Sequence, residues 1–140
     1  MKQTIKMSLA WLLMSFCIYA QAEEIVQKTI PGTTKISAEE LINLAQTVPS
    51  LIIIDSRKPS DHFKGHIEGS INLPDTKTTP GTLSQHIPTK STPVIFYCNG
   101  IRCGRSATAA KIAVAAGYTK IYWFRGGWGE WTAKGYPAAR

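Results

Sequence analysis

At 140 residues, with 16 Lys/Arg against nine Asp/Glu and a net charge of +7, the chain has room for one domain and little more. Its basic residues are scattered, with neither a Lys/Arg run nor an alternation with aromatics. This argues against a nucleic-acid binder and toward small anionic ligands.

The N-terminus reads as a targeting segment. Lys2 and Lys6 precede the apolar stretch MSLAWLLMSFCIYA (7–20), and Ala20-Gln21-Ala22 is followed by acidic Glu23-Glu24. A basic start, a short apolar run and small residues at −3 and −1 are the parts of a secretory signal peptide. The run is short of the roughly 20 residues a membrane span requires. The expectation is a cleaved signal at 1–22, a mature chain that begins at Glu23 with no stable membrane anchor, and a periplasmic or secreted location. Cys17 leaves with the signal. Cys98 and Cys103 remain, in an oxidising compartment where a disulfide between them must be considered.

Residues 23–35 are polar, with a Pro31-Gly32 turn, and read as a lead-in to a domain over 36–140. Ser37 followed by Glu40 forms a capping box, and Leu41, Leu44 and Ala45 give a helical apolar face that ends at Val48-Pro49. LIIID (51–55) is a short continuous apolar run, read as a strand buried on both faces. A loop follows, with one helical turn near Pro59–Phe63. A brief strand spans 70–74, and a short helix is placed at Leu83–Ile87. PVIFYC (93–98) is a second buried strand ending at Cys98. An alanine-rich helix runs from Arg105 to Ala116, stopped by Gly117. KIYWF (120–124) is a third strand, and a glycine turn leads to a last short helix carrying Trp128 and Trp131. Strands alternating with helices imply an α/β domain with a mostly parallel central sheet flanked by helices.

The decade YCNGIRCGRS (97–106) concentrates the chemistry. A loop between a buried strand and a helix start lies in the crevice at the carboxyl ends of the strands. There, loop N–H groups and the helix N-terminus favour an anion. A cysteine in that cradle is pushed toward thiolate, the nucleophilic form. Arg102 and Arg105 add positive charge and are candidates to contact an anionic substrate. Zinc fits poorly: the cysteines are spaced C-x4-C, and His62, His66 and His86 lie in other segments, so no metal site is expected. A thioredoxin-type C-x-x-C is absent. Cys98 also stands in C-x3-R with Arg102 and C-x6-R with Arg105, neither matching the C-x5-R of cysteine phosphatases.

Three blocks carry a family resemblance. DSRKPSDHFKGHIEGSINLP (55–74), VIFYC (94–98) and GYTKIYWFRGGWGEWTAKGYP (117–137) resemble, in order, the first signature, the strand leading to the catalytic cysteine and the closing signature of the single-domain rhodaneses, of the small exported kind. The resemblance implies a rhodanese-like α/β fold and sulfurtransferase activity. Cys98 would take sulfane sulfur from a donor such as thiosulfate as a persulfide and pass it to a thiol or cyanide. It implies no cofactor beyond that covalent intermediate, and an anion-binding loop of Asn99, Gly100, Ile101, Arg102, Cys103, Gly104 and Arg105. Asp55 and Arg57 would form a supporting pair, and His66, Gly65 and Gly69 a structural turn. His62 stands where the family usually has an aromatic and is a candidate to face the pocket.

One departure stands out. The common loop runs C-x-x-G-x-R-S, whereas Arg105-Ser106 follow Cys98 at seven and eight residues. The loop is two residues longer and contains Cys103, a candidate resolving thiol. Loop length in the family is associated with the anion accommodated, so the insertion bears on substrate choice. Two other readings stay open here. One is a periplasmic thiol-disulfide or anion-reducing enzyme that uses Cys98 and Cys103. The other is a non-catalytic sulfur-carrier or binding module that receives its sulfane sulfur from a partner protein, and a periplasmic sulfur-accepting or reducing protein is a candidate partner of the enzyme.

Overall fold

The computed structural model describes residues 27–140. The expected signal segment (1–22) and the start of the lead-in lie outside them. Five strands form one sheet in the order β1-β5-β4-β2-β3, and every neighbouring pair is parallel. The strands are β1 (Thr33–Lys35), β2 (Ile52–Asp55), β3 (Ile71–Asn72), β4 (Val94–Tyr97) and β5 (Ile121–Phe124). The helices are α1 (Ala38–Thr47), α2 (Pro59–Lys64), α3 (Pro80–His86), α4 (Arg105–Ala115) and α5 (Gly127–Ala133), with a 3-10 turn at Asp75–Lys77.

β4 sits at the centre, between β2 and β5, and all four of its residues are buried. Its alternate side chains enter two different cores, as the two-residue period of a strand requires. Val94 and Phe96 join Ile54, Trp123, Leu83 and the alanines of α4 on one face. Ile95 and Tyr97 join Ile53, Phe124, Leu41 and Trp131 on the other. In α4, Ala107, Ala109, Ala110 and Ala113 are buried against the sheet. Their small side chains let this helix backbone approach β4 and β5 closely.

α1 carries both halves of its capping box, with the Ser37 hydroxyl accepting from the Glu40 N–H and the Glu40 carboxylate accepting from the Ser37 N–H. Two elements differ from expectation. The lead-in contributes β1, which pairs with β5 in the register Thr34↔Tyr122. Thr-Thr-Lys has no apolar pattern; its backbone groups make the edge strand. α3 begins at Pro80 rather than Leu83, because Thr79 caps it and proline suits the first helical position.

Candidate functional site

β2 and β4 run parallel with Asp55 opposite Tyr97, so Asp55 and Cys98 leave the sheet at the same edge. Cys98 is 1% exposed. The loop that follows is held from outside by α5: the Trp128 N–H donates to the Cys98 carbonyl and the Gly129 N–H to the Asn99 carbonyl, both at 2.8 Å. Gly127 adopts φ +55°, and a Cβ there would collide with the Cys98 carbonyl. This close approach restricts the position to glycine.

Two sulfurs share the cradle. Cys98 Sγ lies 3.2 Å from Ser106 Oγ and 3.1 Å from the Cys103 carbonyl oxygen. Trp123 Nε1 donates to Ser106 Oγ at 2.9 Å, which leaves the Ser106 hydroxyl proton free for the Cys98 sulfur. The Cys103 carbonyl accepts from the Cys98 thiol, and the Cys103 N–H donates to the Gly100 carbonyl at 3.0 Å. Both cysteines are free, Cys98 buried and Cys103 partly exposed.

The pair titrates together. The Cys98 S–H and the backbone N–H groups of Arg105 and Asn99 stabilise charge on Cys103 against its partial burial, and bring its thiol down to about 6. The Cys103 thiolate and then desolvation push the Cys98 thiol up, opposed by Ser106. Of the two, Cys103 is therefore the more readily ionised and Cys98 the less.

Asn99, Gly100, Ile101, Arg102 and Cys103 line an open hollow of about 440 Å³. Arg102 is exposed at its rim. Arg105 is directed elsewhere: its Nη1 bonds Asp75 Oδ1 at 2.7 Å. Gly104 caps α4 through its backbone position alone.

Asp55 and Arg57 form a separate buried constellation. Arg57 reaches both carboxylate oxygens, with Nη2 to Oδ2 at 2.7 Å, and donates to the Gly65 carbonyl. Tyr97 OH and His62 Nδ1 complete the Asp55 shell at 3.0 and 2.9 Å. Burial opposes ionisation of Asp55, but the bonds from Arg57 and His62 outweigh it and hold the carboxyl below its ordinary range. Arg57 also lies 4.8 Å from the centroid of the Trp128 ring, so this constellation braces the α5 turn that grips the Cys98 carbonyl. His62 thus serves Asp55 and stacks on His66 at 3.7 Å, and is not among the residues lining the loop hollow. Sequence reasoning passed over Ser106, Asp75 and Tyr97 as site residues. Only Ser106 had a local signal, as the serine of the Arg-Ser pair that closes the loop. Among the described residues, no group of three or more His, Cys, Asp or Glu side chains is arranged to hold a metal ion.

Known proteins share the sequence pattern and the fold. Residues 37–134 match the family described as Rhodanese-like domain. The thiosulfate sulfurtransferase GlpE of Tolumonas auensis is 34% identical over 98 residues, covering 70% of this chain and 87% of that protein. The uncharacterized protein YibN of Escherichia coli K12 is 26% identical over 135 residues, covering 96% of this chain and 90% of its own. In fold, the human single-domain sulfurtransferase TSTD1 superposes with a TM-score of 0.60 at 22% identity, over 73% of this chain and 97% of that one. The chain belongs to the rhodanese-like domain family.

Proposed function

We propose that the protein is an exported sulfurtransferase that moves sulfane sulfur from a small anionic donor such as thiosulfate to a thiol or cyanide, through a persulfide on Cys98. The observation that carries this reading is the seat of Cys98 at the carboxyl end of the central strand. There the Ser106 hydroxyl contacts its sulfur at 3.2 Å, on the loop that leads into the start of α4. Donors fixed around a developing sulfur anion stabilise it without reorganisation.

As Cys98 attacks the outer sulfur of thiosulfate, its proton passes to the Cys103 thiolate. A new S–S bond forms at Cys98, the old S–S bond breaks, and sulfite departs with the electron pair. The acceptor then takes the outer sulfur and returns Cys98 as thiolate. No metal or organic cofactor is required for either half. Thiosulfate-type chemistry is favoured by the thiosulfate sulfurtransferase name of a 34% identical relative, and export by the N-terminal segment. The acceptor in the exported compartment is a small thiol or a sulfur-accepting or reducing protein.

The test is steady-state thiocyanate formation with thiosulfate and cyanide varied together. Parallel double-reciprocal lines, the mark of a covalent relay, are expected. Intersecting lines or no turnover would reject the persulfide route.

A further inference from the structure

In the transfer reaction Cys103 takes up the Cys98 proton but forms no bond to the transferred sulfur. Its position is nevertheless specific. It lies on the loop that turns around Cys98, with its N–H on the Gly100 carbonyl at 3.0 Å. Its carbonyl is 3.1 Å from Cys98 Sγ. Cys98 is buried, whereas Cys103 is partly exposed and lines the open hollow. The outer of the two sulfurs is therefore the one solvent and partners reach.

We propose that Cys103 resolves the Cys98 persulfide, attacking its inner sulfur to form a Cys98–Cys103 disulfide and expel hydrosulfide, with an external dithiol restoring both thiols. The inference rests on Cys98 as the persulfide carrier. In the resolving step the Cys103 thiolate supplies the electron pair for the new S–S bond. The bond between Cys98 and the outer sulfur breaks, and that sulfur leaves as HS⁻ with the bonding pair. The sulfane sulfur is reduced and the two cysteine sulfurs are oxidised. A dithiol then attacks the disulfide, is itself oxidised to a disulfide, and leaves two cysteine thiols. Attack on the outer sulfur would only move it from one cysteine to the other. Attack on the inner sulfur, the atom that Cys103 already contacts, releases a soluble anion into the open hollow. Access decides where the dithiol enters, since thiol–disulfide exchange begins at the reachable sulfur. The proposal thus names a second acceptor class for the site and gives the protein a sulfide-releasing activity.

The test uses fully reduced, desalted full-length protein incubated with excess thiosulfate without oxygen or added thiol. Intact mass and released hydrosulfide are read together. Wild type is expected to lose two hydrogens from its mass and release one hydrosulfide per chain, and Cys103→Ser to keep one added sulfur and release none. Wild type that keeps the added sulfur without releasing hydrosulfide overturns the proposal, whichever cysteine carries it. If neither protein gains sulfur nor forms hydrosulfide, the persulfide reading itself falls, and this inference with it. The wild-type result decides the matter even if the variant folds poorly.

Discussion

Ser106 Oγ stands 3.2 Å from Cys98 Sγ while accepting the Trp123 indole N–H at 2.9 Å. The Ser106 oxygen accepts the indole N–H, and with the Cys98 S–H turned to the Cys103 carbonyl the serine proton is available to the sulfur. A buried core aromatic thus holds the serine beside the reacting atom. The arrangement ties β5, α4 and the end of β4 into one unit.

Ser106→Ala removes a hydrogen bond to a charged sulfur, an interaction of about 1.5–3 kcal/mol. Sulfur transfer should fall roughly ten- to a hundredfold, reading that energy as a barrier increase. The orphaned indole N–H adds a stability loss of about 1–3 kcal/mol. Thiocyanate turnover and urea unfolding check the two effects separately. Unchanged turnover would show that Ser106 does not support the anion.

Arg57→Leu leaves Asp55 buried without its guanidinium partner and should destabilise the domain by about 3–5 kcal/mol. The pH dependence has a definite sign. Asp55 titrates below its ordinary range in the fold. Its stabilisation is therefore complete above the unfolded value of about 3.9 and is lost as pH falls through the lower folded value. Urea midpoints measured between neutral and acid pH should show this acid limb in wild type and its loss in Arg57→Leu. The same limb in both would mean that the Asp55–Arg57 pair is not its source.

Gly127→Ala places a Cβ against the Cys98 carbonyl at a φ of +55°. The backbone conformation alone costs a non-glycine residue about 1–3 kcal/mol. The collision moves the loop, and a shift of that size near reacting atoms lowers kcat/KM roughly a hundredfold. Turnover should drop further than stability accounts for when assayed well below the melting temperature. A variant with near wild-type turnover would argue against the Cys98–Gly127 approach as a constraint on the loop.

The rate of sulfur loading should rise with pH through about 6 and level off above it, following the Cys103 thiol that takes the Cys98 proton. Cys103→Ser should move that limb upward, toward the ordinary thiol value of about 8.5. Stopped-flow sulfite release gives the profile. A wild-type limb already near the ordinary thiol value would remove Cys103 from the proton path.

What the sequence disclosed divides by distance along the chain. The capping box of Ser37 and Glu40 was legible because both halves lie within one turn. β4 was legible because burial on both faces leaves a continuous apolar run. β1 was not, since Thr33–Lys35 joins the sheet through backbone pairing with β5. The apolar pair Leu83 and Ile87 drew the start of α3 inward from the true signal at Thr79-Pro80. In the site, Cys98 and its loop were marked by strand, glycines and helix start. The partner of Arg105 was not, because Asp75 lies 30 positions away and only folding brings them together. The same holds for Ser106, whose hydroxyl oxygen is held by Trp123, 17 positions on.

The central claim is that the buried sulfur, Cys98, carries the transferred atom although Cys103 is nearer the solvent. Its most direct measurement is thiosulfate-to-cyanide turnover of Cys98→Ser with Cys103 left in place, with circular dichroism confirming the fold. The expected result is turnover at background and no sulfur added to the protein by intact mass. Sustained thiocyanate formation, with the added sulfur found on Cys103, would contradict the account.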